Sequence, residues 1–381
     1  MSELRIGIIG LGGMGQNHAG KLTGGEIKRC RLTAVCDVNE SSLAKFDGLK
    51  RFTDSHEMII SGEVDAVLIA TPHYFHTEAG IDALENGLHV LVEKPISVHK
   101  ADAERLTAAH RNEDQVFAAM FNQRTNPCYR KIKQLIDGGE LGEIARVNWI
   151  VTDWYRTDAY YAGGGWRATW KGEGGGVLLN QCPHQLDLLQ WLCGMPARVH
   201  GFCGLGRWHD IEVEDQVTAY LEYDNGAGGV FVTTTGEAPG TNRLEIAGEM
   251  GKVVVEGGKL AFIRNEKSAI ECSRTAVLGF ARPEVWNIDI PVEGSGGQHA
   301  EIMQNFVDAA LDGTPLIAPA EEGIKSVELA NAILYSSLKS KTVELPLDGA
   351  EYEKELQRLI AESRYEKKVV DKPGEDMNKS F

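Results

Sequence analysis

The sequence predicts a two-domain α/β protein, with a doubly wound parallel sheet first and then an α/β domain built on a mostly antiparallel sheet. Three observations carry the prediction. The chain has 381 residues, too many for one ordinary core. Its N-terminal part alternates short apolar runs with polar segments of helix length, and after Asn122 the strands become longer and alternate in polarity.

From Leu4 to Asn122 the runs LRIGIIG, RLTAVCD, VDAVLIAT, HVLVEK and VFAAMF are nearly continuous in hydrophobic residues, as strands buried on both faces must be. Helical spacing separates them, for example Ala79, Ile81, Ala83 and Leu84, which stops at Asn86-Gly87. Strand-helix alternation of this kind builds a parallel sheet. The later runs IARVNWIVTDW, DQVTAYLEY and GGVFVTTTG suit an antiparallel sheet with one covered face. Asn225-Gly226 and Gly257-Gly258 stand where hairpin turns need positive φ. The domains are therefore placed at 1–124 and 125–348. Two amphipathic helices are expected at His299 to Asp312 and Ala320 to Lys341, followed by the strand TVELPL. Residues 349–381 are read as a final helix and a tail whose last dozen residues look disordered.

Composition excludes several function classes. The chain is 43% hydrophobic and 25% charged, as ordinary globular proteins are. A net charge of -16 repels nucleic-acid phosphates and anionic membranes, so neither is expected as a partner and a neutral or small substrate fits better. Seven scattered cysteines without a C-x-x-C pair suit a reducing compartment. No apolar stretch approaches the length of a membrane span, and the protein is expected in the cytoplasm. No metal-ligand pattern is apparent.

Gly10-Leu11-Gly12-Gly13-Met14-Gly15 directly follows the strand RIGII and opens a helical segment. Gly10 permits a tight turn, Gly12 lets backbone approach a pyrophosphate, and Gly15 lets the helix pack on the sheet, while the helix start supplies oriented N–H donors. Asp37 ends the second strand about where a carboxylate would accept from the adenosine ribose hydroxyls. The same carboxylate repels a 2′-phosphate, and Val38, Asn39 and Glu40 supply no cation. The expected cofactor is thus NAD, with NADP disfavoured, in a Rossmann domain.

An apolar strand ending in Glu93-Lys94-Pro95 inside such a domain resembles the Gfo/Idh/MocA family of sugar and cyclitol oxidoreductases. A second family marker, a glycine-rich turn followed by a helix bearing His and Asp, matches Gly174-Gly175-Gly176 through His184 and Asp187. The resemblance spans the whole chain. It implies a second, larger domain on a large open sheet, and a catalytic pair of Lys94 and His184 facing the substrate carbinol.

The chemistry agrees independently, because removing hydride from an alcohol carbon requires its hydroxyl proton to leave as well. A histidine titrates near neutrality and can take it, while a lysine polarises the same oxygen. Pro183 fits the first helical position with Asn180 or Gln181 as cap, which puts His184 in the first turn. Where the family often has Asp, this chain has Asn180, which can orient substrate hydroxyls or the imidazole but cannot pair as a charge. Asp187 is then either the partner of His184 or a structural carboxylate.

The family mapping also places Thr71, Pro72 and His76 near the nicotinamide ribose. It sets Gln123 and Arg124 at the close of the Rossmann domain, and Trp166-Arg167 reaching across to the cofactor. Asp153, Trp154, Tyr155 and Arg156, with Tyr160, Tyr161, Trp166 and Trp170, form the mix of rings and hydrogen-bonding groups that grips a sugar, although packing under a long loop explains them equally. His299 either enters the cleft or belongs to a helix start. The leading expectation is an NAD-dependent dehydrogenase acting on a secondary hydroxyl of a sugar, glycoside or cyclitol. The alternatives are a glycoside hydrolase or lyase that retains its NAD and works by transient oxidation, and a non-catalytic NAD-binding regulator. A homodimer or homotetramer is expected, since relatives commonly assemble through the open sheet.

Overall fold

In the computed structural model, which describes residues 3–370, the chain forms two sheets with helices packed on them. The first has six parallel strands: β1 (Leu4–Ile9), β2 (Cys30–Cys36), β3 (Lys50–Phe52), β4 (Ala66–Ile69), β5 (His89–Val92) and β6 (Phe117–Ala119). Their order is β3-β2-β1-β4-β5-β6. The five expected apolar runs are β1, β2, β4, β5 and β6, and Ala66 to Ile69 are buried throughout, as a central strand covered on both faces requires. The short edge strand β3, whose Lys50 and Arg51 are exposed, carries no apolar signal. Because β1 lies between β2 and β4, the loops leaving β1 and β4 diverge. The crevice of a doubly wound sheet opens there.

The second sheet contains β7 (Ile144–Val151), β8 (Arg198–Leu205), β9 (Glu214–Glu222), β10 (Gly228–Thr234), β11 (Asn242–Gly248), β12 (Gly251–Glu256), β13 (Lys259–Asn265), β14 (Val285–Ile290) and β15 (Val343–Glu344). Its order is β14-β13-β12-β11-β7-β10-β9-β8-β15, antiparallel except where β10 runs parallel to β7. Both expected hairpins form: Gly226 adopts φ 84° between β9 and β10, and Gly257 and Gly258 adopt 56° and 74° in the two-residue turn between β12 and β13. One face is covered by the helix Gly323–Lys339, which comes so close that a Cβ on Gly201 would lie 2.2 Å from the Ile333 carbonyl oxygen.

Packing departs from the linear division at residues 124 and 348. Ile302, Met303, Phe306 and Val307 of the helix Gln298–Asp312 join the apolar core of the first sheet, together with Ala318 and Val327. Tyr352 and Leu356 of the helix Gly349–Glu362 join the core of the second, so this helix belongs to that domain and not to a tail. The strand expected at TVELPL shrinks to β15, where Pro346 removes a ladder donor. The segment expected to be disordered lies mostly outside the described residues.

Candidate active site between the two sheets

A cavity of about 1000 Å³ runs from the ends of β1 and β2 to the helix Pro183–Cys193. On the first wall Gly10 adopts φ 93°, and a Cβ there would stand 2.7 Å from the Ala70 carbonyl oxygen, so the turn demands glycine. A Cβ on Gly15 would lie 1.9 Å from the Gly10 carbonyl oxygen, which shows how closely the helix Gly13–Thr23 meets the strand end. Gly12, by contrast, has open space at its Cβ position and lines the cavity. No side chain caps this helix, and its start, with Gly13 and Met14, borders the cavity, a fit for an anionic pyrophosphate. Asp37 completes the wall: Oδ2 accepts from the Leu11 N–H at 2.6 Å and Oδ1 from the Asn39 N–H at 2.8 Å. A carboxylate so held has fixed acceptors to offer ribose hydroxyls.

The loops after β4 and β5 form the floor. Thr71 and Pro72 line the cavity, and His76 ties them to the next loop: its Nδ1 lies 2.8 Å from the Pro95 carbonyl oxygen and its Nε2 2.8 Å from that of Thr71. Glu93 is buried, with Oε1 2.7 Å from His18 Nε2 and Oε2 accepting from the Lys94 N–H at 3.1 Å. Burial pushes this carboxyl up, yet the hydrogen bond and charge of His18 and the charges of His299 and Lys94 outweigh it, so Glu93 titrates well below its ordinary range. Burial lowers the Lys94 ammonium; Glu93 opposes the shift and Arg167 adds to it.

The second wall grows from the glycine-rich turn. Gly174 adopts φ 81°, and a Cβ on Gly176 would lie 2.0 Å from the Glu214 carbonyl oxygen. Oε1 of Glu214 accepts from the Gly176 and Leu178 N–H groups at 2.8 and 3.0 Å, which pins the turn to β9. The helix Pro183–Cys193 then starts with proline at its first position and brings His184 to the cavity. Burial, then the charges of Lys94 and His299, push the imidazole well below its ordinary 6.5. It is therefore neutral and ready to take a proton at physiological pH.

The structure brings most of the expected residues together. Gly10 to Met14, Asp37, Thr71, Pro72, His76, Glu93, Lys94, Arg156, Trp166, Arg167, Asn180 and His184 all line the one cavity. Others need correction. Asp187 is not the partner of His184: its two oxygens accept from Arg124 Nε and Nη2 at 2.8 and 2.6 Å in a fully buried pair. Gln123, in the short 3-10 helix Asn122–Thr125, does not border the cavity, nor do Asp153 and the half-exposed Tyr155. Tyr161, in the short helix Asp158–Ala162, and Trp170 are buried in the core of the second sheet instead. The residue preceding the His184 helix as cap is Cys182, not Asn180 or Gln181. Asn180 instead gives its side chain to Glu173, Tyr160 and Gln181. His299 is buried beside His18, with ring centroids 5.5 Å apart, behind Glu93. Trp154 and Tyr160 of the aromatic segment line the cavity as expected, whereas sequence reasoning missed His73 and Gln181 on its wall, and His18 behind it. Only His18, one helical turn beyond Met14, had a signal, as the polar residue among Gly15, Ala19 and Leu22 on the buried side of its helix.

A glycine turn with an acidic strand end on one wall, a half-buried lysine on the floor and a buried histidine on the facing wall define a two-domain nicotinamide-dependent oxidoreductase. The chain belongs to the Gfo/Idh/MocA family: residues 4–121 match its oxidoreductase NAD-binding Rossmann domain and residues 129–254 its C-terminal domain. The cofactor is NAD. Among curated relatives it is 27% identical over 355 residues to the myo-inositol 2-dehydrogenase of Thermotoga maritima, covering 90% of this chain and 98% of that one. It is 26% identical over 365 residues to the D-glucoside 3-dehydrogenase of Escherichia coli, covering 90% and 98%. The WlbA dehydrogenase of Bordetella pertussis, solved with NADH and UDP-GlcNAcA, superposes with a TM-score of 0.76 at 27% identity, over 91% of this chain and 100% of that one. Among the described residues no cluster of three metal-ligating side chains occurs, and no helix is long and apolar enough to cross a membrane.

Proposed function

We propose that the protein is an NAD-dependent dehydrogenase of a secondary hydroxyl on a sugar, glycoside or cyclitol, with His184 as general base and Lys94 beside it. The observation that carries this reading is the meeting of the two motifs: Lys94 Nζ donates to the main-chain oxygen of Asn180 at 3.1 Å, four residues before His184. NAD, when bound, supplies the hydride acceptor. His184, neutral in its buried site, takes the hydroxyl proton, and the Lys94 ammonium stabilises the negative charge that grows on the same oxygen. Asn180, Tyr160 and Gln181 form one hydrogen-bonded group that orients the ring hydroxyls.

Following NADH absorbance while purified protein and NAD are given a panel of sugars, glycosides and cyclitols tests the proposal. Silence across the panel counts against it. Glycoside cleavage that needs bound NAD but forms no net NADH moves the assignment to an NAD-retaining hydrolase or lyase. Two finer readings accompany it. Assembly into a homodimer or homotetramer is supported by Ile150, Phe202 and Tyr220, exposed on the uncovered face of the second sheet. Residence in a reducing cytoplasm is supported by seven unpaired cysteines.

A further inference from the structure

Glu173 stands behind the second wall of the cavity, where it is buried and holds two neighbours at once. Its Oε1 accepts from the side-chain Nδ2 of Asn180, and its Oε2 accepts from the Ala168 N–H at 2.5 Å. One donor ends the glycine-rich turn; the other belongs to the segment that brings Trp166 and Arg167 to the cavity. The same residue closes that segment, since its own N–H donates to the Thr169 main-chain oxygen at 2.9 Å. Packing there is tight: a Cβ on Gly172 would lie 2.2 Å from the Trp166 carbonyl oxygen. Ala168 adopts φ 58°, a left-handed conformation that alanine keeps only where its surroundings impose it.

A carboxylate can only accept, so it decides how the Asn180 amide is turned. The NH2 end faces Glu173, and the Oδ1 end then meets Tyr160 Oη at 3.2 Å and Gln181 Nε2 at 3.0 Å on the cavity side. A reversed amide would set acceptor against acceptor at Glu173 and donor against donor at Gln181. The main-chain oxygen of the same asparagine receives Lys94. Burial raises the Glu173 carboxyl, while the charge of Arg167, the two donors and the charge of Lys367 oppose the shift.

Resting for its substrate half on the proposed sugar oxidation, we infer that Glu173 is a positioning residue of the active site. It sets which end of the Asn180 amide the substrate meets, and it holds the Trp166–Arg167 segment at the nicotinamide end of the cofactor site. Glu173 itself does not border the cavity, so it acts only through these neighbours.

Two experiments on the full chain test the two halves. The first needs no substrate. Glu173→Ala releases the Ala168 N–H and is expected to weaken NADH, read by its fluorescence, about fivefold or more. ADP-ribose, which lacks the nicotinamide, should keep its affinity within about twofold. Glu173→Asp, too short to reach both donors, should show the same contrast if the alanine variant does not fold. Equal weakening of both nucleotides, or of neither, overturns the inference.

In the second experiment amide and carboxylate exchange places. Glu173→Gln alone leaves a donor facing a donor, and Asn180→Asp alone leaves an acceptor facing an acceptor. Each should lower kcat/KM about tenfold for glucose, methyl glucoside or myo-inositol, whichever reduces NAD fastest. Combined, they rebuild the group: the new amide oxygen at 173 accepts from Ala168, its nitrogen donates to the new carboxylate at 180, and the other oxygen of that carboxylate accepts from Tyr160 and Gln181. The double variant should return to within about threefold of the native protein. A double variant no better than the weaker single, or singles that lower the melting temperature and leave kcat/KM unchanged, overturns the inference. If the native protein oxidises none of the three compounds, the dehydrogenase reading loses its support, and the comparison of NADH with ADP-ribose alone decides for or against Glu173.

Discussion

Lys94 and Asn180 join the two halves of the active site, the lysine ammonium donating to the asparagine main-chain oxygen at 3.1 Å. One residue ends a strand of the parallel sheet and the other ends the glycine-rich turn. The contact therefore fixes where two motifs, 86 positions apart in the chain, face each other. It also sets the charge beside His184, because a nearby ammonium and burial act in the same direction on the imidazole.

The first prediction concerns that pair. Lys94→Met and His184→Ala are each expected to lower kcat by about 10² to 10⁴, the usual worth of a positioned acid–base group. Depression of His184 below 6.5 means that its neutral form prevails down to more acidic pH than in a free histidine. The acid limb of the oxidation rate should accordingly lie below 6.5, and the basic limb, where Lys94 loses its proton, below 10.5. A pH–rate profile with an acid limb above neutrality contradicts the assignment.

The three fingerprint glycines should fail in different ways. Gly12→Ala meets nothing within 4 Å, so the variant should melt with the native protein and yet lose NADH affinity about tenfold or more, as a methyl group intrudes on the pyrophosphate path. Gly15→Ala forces a methyl to within 1.9 Å of a carbonyl oxygen, and Gly10→Ala keeps φ 93° only under strain. Both should lower the melting temperature before any ligand is added. Thermal melts and NADH titrations of the three variants separate the two effects.

This contrast also marks what the sequence could tell. Local features survive into the fold: five of six parallel strands were legible because burial on both faces leaves unbroken apolar runs, and both hairpins because only glycine and asparagine sit easily at positive φ. The site's motif residues were legible because each stands at a strand end or helix start. What was not legible depended on partners distant in the chain. Asp187 reads as a neighbour of His184 along the helix, but Arg124 reaches it from 63 positions away. Asp153 and Tyr155 stand in the same aromatic segment as Trp154 and Arg156, yet only the latter two border the cavity. Helix Gln298–Asp312 returns to the first core because its apolar stripe matches that surface, which no local pattern announces.

The Arg124–Asp187 pair is expected to act on stability and not on proton transfer. Arg124 also reaches Glu322 at 2.6 Å, so one buried guanidinium ties the end of the first domain to two helical segments. Asp187→Asn should cost about 3 kcal/mol in denaturant unfolding, because it removes the buried one of the two carboxylates that hold the Arg124 cation and leaves only Glu322. The acid limb of kcat should stay in place. If that limb moves while stability does not, Asp187 serves His184 after all.

Asp37 should govern cofactor choice. Its carboxylate holds the Leu11 and Asn39 N–H groups as well as facing the adenosine end of the cavity. Asp37→Ser is expected to weaken NADH by about tenfold and NADPH by less, so that the ratio of the two dissociation constants falls. Fluorescence titration with both cofactors reads this directly, and an unchanged ratio refutes the role.

The last prediction rests on Glu214, which pins the turn that carries His184. Its Oε1 accepts two main-chain N–H groups, while its buried Oε2 has no partner among the described residues. Burial raises the carboxyl from 4.5 to about 7 against the pull of those donors. A proton on Oε2 is thus retained in the folded state after the unfolded chain has lost its own. Between pH 4.5 and about 7 the folded protein binds more protons than the unfolded one, so this group makes stability fall as pH rises and adds no slope above that range. Glu214→Gln keeps the acceptor oxygen and removes the titration. Urea unfolding from pH 4.5 to 8 should show the native protein losing stability towards neutrality relative to the variant, with the two curves parallel above pH 7. Curves that run parallel throughout would mean that Glu214 is ionised in the fold, and that the turn is held by a carboxylate instead of a carboxylic acid.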